Sequence, residues 1–369
     1  MKYTFFLILV SFNLWAQKDL QFKDDKISLA HLQSTYSHLG SDEFALKLSG
    51  SLASPLLFFR SFVNTYYSEM SSQKNSSIKG TCFGDAHPEN FGFILFKDRT
   101  RFVFNDFDDS GECWVEFDLL RYFVALSLAF NDPQLLNHTL KHFLEVLEDF
   151  SKAVEIDSRL VPSLAKKNKK ILEKYTRSDN FRDLAELISI PAIDKKQLVN
   201  QLKMSSLFDK IRILDMVKVK RESGGSGGLD RFWILIKNSD NQLDILELKE
   251  LAIPALAFLQ PQPNQSSELR LTSLKNSLWG ETPQFYHSLK LQETSYLVRS
   301  RTKDDVNLEK LKDTELRNYL KAQVSILALH HGKSKMIDTE KLGLWLARFV
   351  PVIHKRYETT YKFLLKTKK

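Results

Sequence analysis

The sequence predicts an α+β fold of two lobes whose segments are not consecutive, and three observations carry that expectation. Apolar residues recur three and four positions apart over roughly 40–205 and again over 303–369, the mark of helices with one buried face. Short runs of β-formers separated by turn residues fill 206–302. The length, 369 residues, leaves room for two domains at about 150 residues each. With 43% hydrophobic and 27% charged residues and two cysteines, the composition is globular. It excludes a disulfide-framework miniprotein, a collagen-like chain and a disordered tail. A formal charge of +8 favours anionic partners but is thinly spread over this length.

Taken in order, Met1 and Lys2 precede an apolar run from Tyr3 to Trp15 that ends in Ala16 before Gln17-Lys18-Asp19. A basic start, a short apolar centre and a small residue before a polar stretch describe a secretory signal peptide over 1–16. The run is short for a permanent anchor, which needs about 20 apolar residues. The mature chain is therefore expected to be exported, periplasmic or extracellular, with no stable membrane anchor; a buried first helix or strand is the alternative. Asp42 to Met70 has helical periodicity, with Ser54-Pro55 opening a second helix whose Leu56, Phe59, Phe62, Tyr66 and Met70 form a core face. Lys79 to Phe83 predicts a strand, and Phe91 to Phe96 with Arg101 to Phe104 predict a hairpin. Asp118 to Phe130 is apolar enough for a buried helix, and Asn131 to about Gln201 continues as amphipathic helices. The basic run Lys166-Lys167-Asn168-Lys169-Lys170 lacks aromatic or glycine interleaving, so it is expected to be a solvated helix face and not a nucleic-acid site.

From Ile211 the pattern changes to strand, glycine-rich turn, strand at Phe232 to Ile236, turn, and strand at Leu243 to Lys249. A linker at Gln260 to Ser267 leads to further strand-like runs ending at Tyr296 to Arg301. Helical patterns at Leu308 to His331 and Thr339 to Leu365 close the chain. The expected organisation is a leader at 1–16, a helical part at 17–205, a β-rich part at 206–302 and a helical completion at 303–369.

Three groups of residues carry chemistry. Gly84-Asp85-Ala86-His87-Pro88-Glu89-Asn90 puts an Asp and an Asn five residues apart on one loop. The carboxylate can orient a hydroxyl while the amide oxygen holds a divalent cation. Asn105-Asp106-Phe107-Asp108-Asp109 concentrates the hard oxygen ligands that magnesium prefers. Asp and Asn are also common turn residues, which is the plainer account of both loops. Ser223-Gly224-Gly225-Ser226-Gly227-Gly228 lies between two strands, with Lys249 on the next strand. Glycines let backbone N–H groups approach phosphate oxygens, and a lysine nearby can neutralise them. A flexible hairpin turn explains the glycines equally well; the order strand, glycine loop, strand, turn, strand with Lys is that of a protein-kinase nucleotide roof. Cys82 and Cys113 are 31 positions apart and bracket the two acidic loops, either as a disulfide or as two buried thiols.

Gly84 to Gly92 (GDAHPENFG), Asn105 to Asp109 (NDFDD), and Glu116-Phe117-Asp118-Leu119-Leu120-Arg121 resemble the signature of the bacterial family called domain of unknown function 2252. Ser54-Pro55 to Arg60, Gly225-Ser226-Gly227-Gly228-Leu229-Asp230-Arg231, Leu248-Lys249-Glu250 and Leu297-Val298-Arg299 before Val306-Asn307-Leu308 resemble its other blocks, in order. The resemblance spans about 40–335. It implies a two-lobed protein-kinase-like fold, related to aminoglycoside phosphotransferases, that is circularly permuted because the catalytic and metal loops precede the glycine loop. It further implies Asp85 as the catalytic-loop aspartate, with His87 orienting that loop by hydrogen bonds in preference to carrying protons, Asn90 and Asp106 as magnesium ligands, Asp108 or Asp109 as an added metal ligand or an acid with another role, and Lys249, Arg231 and Gly224 to Gly228 around the phosphates. Asp118, Arg121, Arg60 and Arg299 also fall in matched blocks; Arg60 and Arg299 would bind phosphate or substrate, or pair with the acidic loops. His330 and His331 are expected to pack at a helix end. The implied activity is phosphoryl transfer from ATP or another purine nucleotide, with Mg²⁺, to a small-molecule or protein acceptor. Export conflicts with the scarcity of ATP outside the cytoplasm. Two other classes therefore stand beside the kinase: a catalytically inactive ligand-binding protein of kinase fold, and an exported metal-dependent phosphoesterase suggested by Asp85-Ala86-His87. The phosphoesterase lacks its later Gly-Asn-His and Gly-His-x-His blocks here.

Overall fold

A computed structural model describes residues 20–73, 78–96, 99–220, 229–261, 267–283, 285–302, 304–333 and 337–367. The expected leader at 1–16 and the glycine loop, Gly224 to Gly228, lie outside the described residues. Four helices open the fold: α1 (Leu29–Ser34), α2 (Ser41–Ser51), α3 (Pro55–Ser61) and α4 (Val63–Ser71). Ser54 caps α3 by accepting the Leu57 N–H at 3.1 Å, with Pro55 in the first turn, as its sequence signature requires. Strands β1 (Lys79–Cys82), β2 (Phe91–Phe96), β3 (Arg99–Phe104) and β4 (Gly111–Trp114) follow. β2 and β3 pair antiparallel, Phe91 opposite Phe104, while β1 pairs with β4. Cys82 and Cys113 are joined as a disulfide between β1 and β4, which decides the alternative the sequence left open.

Helix α5 (Val115–Phe130) is apolar nearly all round and buried along most of its length, the centre of the helical part. α6 (Pro133–Glu148) starts at the cap Asp132 and packs in the same core. The expectation of amphipathic helices to about Gln201 holds for α6 and is corrected between the two helices that follow it, where three short strands intervene. α7 (Leu164–Tyr175) is followed by β5 (Thr176–Arg177), β6 (Asn180–Phe181) and β7 (Leu187–Ser189) before α8 (Ala192–Lys203). β7 exists because it pairs with a distant strand edge, Leu187 opposite Val219, and local periodicity carries no trace of that partner.

β8 (Arg212–Val219), β9 (Arg231–Lys237) and β10 (Leu243–Glu250) form the expected meander. Helix α9 (Ser267–Trp279) occupies a stretch expected to be linker and strand-like; Leu271 and Leu274, three apart, bury against the helical core. β11 (Tyr286–Leu291), β12 (Thr294–Ser300) and β13 (Asp304–Asp305) precede α10 (Asp313–His331) and α11 (Thr339–Thr367). The main sheet is antiparallel in the order β11-β12-β10-β9-β8-β7, and β13 adds to the β2–β3 pair. The fold is α+β.

One face of the main sheet buries Ile234, Leu246, Leu248 and Val298 beneath Leu202 and Phe208. The other face is divided. Trp233, Leu235 and Ile245 are covered by Ile171, Leu172 and Tyr175 of α7. By strand alternation the same face then presents Arg231, Glu247, Lys249 and Arg299, paired across β9, β10 and β12. That charged end meets the acidic loops of the helical part.

Candidate functional site

Both acidic loops grow from the disulfide-linked strand pair: β1 runs into Gly84–Asn90, and the loop 105–110 runs into β4. They touch at Gly84, whose φ is +84°; a Cβ there would stand 1.9 Å from the Asp109 carbonyl oxygen, so only glycine fits. Asp118, fully buried on α5, holds the same turn. Its carboxylate accepts the N–H groups of Phe83 at 2.8 Å and Gly84 at 3.0 Å and the Tyr67 hydroxyl at 3.2 Å, with His331 Nε2 at 3.1 Å. Asp118 and His331 thus support the loop from behind. His330 does the same for β1 through the Thr81 carbonyl at 2.6 Å.

Asp85 is engaged by Arg121 of α5, whose Nε donates to Oδ1 at 2.9 Å and whose Nη2 bonds the same oxygen. Burial favours the protonated acid, but Arg121 and then His87 outweigh it and hold Asp85 well below the usual carboxylate range. Arg121 is itself buried, over the rings of Phe59 and Tyr66. An aspartate so firmly ionised is suited to orienting a hydroxyl and stabilising positive charge. His87 is 1% exposed, with the Glu89 N–H at 3.2 Å from Nδ1 and Arg60 Nε at 3.1 Å from Nε2. Burial, followed by the Arg60 charge, brings its pKa down to about 4. It is a neutral ring at pH 7 and shapes the loop. Asn90 donates from Nδ2 to the Asp85 carbonyl at 2.9 Å, which fixes its amide and leaves Oδ1 as its remaining ligand oxygen.

In the second loop, Asp108 contacts Lys249 directly and Asp106 lies 3.4 Å from the same ammonium. Arg299 reaches Asp106 at 3.5 Å and Glu247 at 2.8 Å, and Arg231 reaches Glu247 at 2.7 Å. Burial would lower the Lys249 pKa, but Asp106 and Asp108 raise it, so the lysine is cationic. Burial chiefly, then Asp85 and Asp108, pushes the Asp109 carboxyl up to about 7, while it accepts the Ala255 N–H at 2.8 Å. Arg270 of α9 clamps this loop: its Nη1 donates to the carbonyls of Phe107 at 3.1 Å, Asp108 at 2.8 Å and Ser110 at 2.9 Å.

A cavity of about 670 Å³ collects these groups. Asp85, His87, Asn90, Asp106, Asp108, Arg231 and Lys249, all singled out in the sequence, line it, with Arg60 and Arg299. Arg60 pairs with Glu89. Sequence reasoning missed Tyr36, Lys47, Asn64 and Glu247, which also line the cavity, and Arg270 behind it. Lys47 left a signal: it sits on the buried face of α2 between Phe44 and Ser51, where a charge is out of place.

Asn90, Asp106 and Asp108 line the cavity with oxygens of the type magnesium takes, an ion that binds through one or two carboxylates and keeps several waters. Asp108 Oδ1 is buried with no hydrogen-bond partner, so one carboxylate oxygen is left to accept from a ligand. Among the described residues no three His, Cys, Asp or Glu side chains converge into a complete cage, and Lys249 presently balances Asp106 and Asp108.

A family described as an uncharacterized protein conserved in bacteria (DUF2252) matches the chain over residues 41–189 and 195–358. No curated protein and no solved structure matches it.

Proposed function

The chain belongs to the DUF2252 family, and from that premise we propose that it is a kinase-like phosphotransferase with a permuted two-lobed arrangement, taking a magnesium-bound purine nucleotide. The observation that carries this reading is convergence: Asp85, Asn90, Asp106 and Asp108 from the helical part and Arg231, Lys249 and Arg299 from the sheet line one cavity. Asn90, Asp106 and Asp108 would hold Mg²⁺, which supplies charge neutralisation at the transferring phosphoryl group. Lys249, released from the two carboxylates, would neutralise the phosphates beside Arg231 and the loop Gly224 to Gly228. Asp85 would orient the acceptor hydroxyl. The bond between the γ-phosphorus and the β,γ-bridging oxygen breaks, the acceptor oxygen bonds to phosphorus, and the nucleoside diphosphate and the hydroxyl proton leave. Catalysis on this reading is positioning and electrostatics, with no covalent intermediate.

Export is part of the same reading, from the leader at 1–16, and the Cys82–Cys113 disulfide supports an oxidising compartment. The donor there need not be ATP itself. The test is thermal stabilisation by Mg-nucleotides. At about 100 times its dissociation constant, a ligand of the folded state adds roughly 2.7 kcal/mol. The shift is expected in the wild type and lost in Asp106→Asn and Lys249→Ala. Stabilisation without phosphoryl transfer to any acceptor would instead favour the non-catalytic binding protein, and no shift with any nucleotide sinks the phosphotransferase reading.

A further inference from the structure

Three arginines on the sheet wall of the cavity, Arg231, Arg299 and Arg301, share one buried acid, Glu247. Arg231 reaches it at 2.7 Å and Arg299 at 2.8 Å, so that carboxylate is taken. Arg301 lies one residue past β12, where its N–H donates to the Ile245 carbonyl at 2.7 Å and carries the pairing with β10 one step further. Alternation then puts Arg299 and Arg301 on one face, about 7 Å apart along the strand. Each keeps a donor unused. Arg301 Nε is buried with no hydrogen-bond partner, and among the described residues no carboxylate pairs with its guanidinium. Arg299 Nη1 is buried in the same condition; Asp106 stands 3.5 Å from it, a contact between charges and not a hydrogen bond. Buried donors without acceptors are costly and neighbouring guanidinium groups repel, and an anion between the two relieves both. Arg301 is also held in place. Its guanidinium lies over the indole of Trp233, 5.3 Å from the ring centre, and Trp233 is itself buried against Tyr175.

We propose that Arg301, with the unused donor of Arg299, forms a phosphate subsite that needs no metal ion and stands apart from the phosphates paired with Lys249. Phosphate fits better than carboxylate. One guanidinium fork uses up the two oxygens of a carboxylate, whereas the three terminal oxygens of a phosphate serve two guanidinium groups. The subsite rests on the geometry of the sheet wall and not on the phosphotransferase reading. On that reading it holds a phosphate that the reaction leaves in place, and Arg301 selects substrates that carry one.

The test uses the full mature chain in EDTA, with inorganic phosphate and ribose 5-phosphate as probes and acetate and ribose as controls, read by calorimetric titration and thermal shift. At least one probe is expected to bind tenfold or more tighter than acetate and ribose, and Arg301→Gln to lose at least tenfold in that affinity. Binding of inorganic phosphate alone identifies the ligand as the free anion; binding of ribose 5-phosphate identifies a phosphate ester, and either result supports the subsite. In the wild type, the bound probe should also slow phenylglyoxal modification of Arg301, followed by peptide mass spectrometry, a readout independent of how the variant folds. No binding of either probe, equal binding of acetate, undiminished affinity in Arg301→Gln, or no protection of Arg301 overturns the proposal. A retained Mg-nucleotide shift with no metal-free phosphate binding would remove this subsite alone; phosphate binding without any nucleotide shift would remove the kinase reading and leave the subsite.

Discussion

His87 shows how a single side chain is tuned by what surrounds it. Burial and the Arg60 guanidinium bring its pKa down to about 4, from an unfolded value near 6.5. The unfolded chain therefore binds a proton at His87 between about pH 6.5 and 4 that the folded chain refuses, and folding stability falls as pH drops through that window. His87→Gln, which cannot titrate, should lose less stability than the wild type between pH 7 and pH 4, by about 2–3 kcal/mol, from urea midpoints at each pH. Parallel loss in both proteins would mean that His87 does not carry this linkage. Sequence placed it in the loop beside Asp85 as a hydrogen-bonding residue; its contacts with Arg60 and the Glu89 N–H came from the fold. The Asp85–Arg121 pair was legible only as two residues in neighbouring blocks, because a 36-residue separation in the chain conceals a 2.9 Å contact.

At the scale of elements, α9 is the part that sequence misassigned and the site depends upon. Its Leu271 and Leu274 bury in the helical core, and that anchors Arg270 against three carbonyls of the acidic loop. Arg270→Met removes those donors from buried acceptors, which costs about 1–3 kcal/mol. Amide hydrogen exchange at Asp108 to Ser110 should speed up more than at β9 or β10. Uniform acceleration across the chain would make Arg270 a general packing residue and not the clamp of this loop. The strands β8 to β10 were legible because each is a short run rich in β-formers bounded by turn residues. β7, three residues long, was not, since its reason to exist is the edge of β8.

For the whole molecule, the sheet and the helical part meet through buried charge: Lys249 on Asp106 and Asp108, and Arg299 on Asp106. Replacing both Asp106 and Asp108 with Asn leaves Lys249 and Arg299 with weakened compensation at the junction. The double variant should lose roughly 3–5 kcal/mol. Urea unfolding should then separate into two transitions, the sheet parting before the α5 core. A single transition at the wild-type midpoint would mean that apolar contacts alone join the parts. The sequence by itself determined the α+β class, the caps and turns, the acidic loops and the lysine-bearing strand, because these follow from local periodicity and side-chain chemistry. Only the tertiary structure decided that the acids of one part and the cations of the other share a cavity, that Lys47 is inside it, and that Cys82 meets Cys113. Those facts are contacts between residues far apart in the chain, and packing, not sequence neighbourhood, chooses such partners.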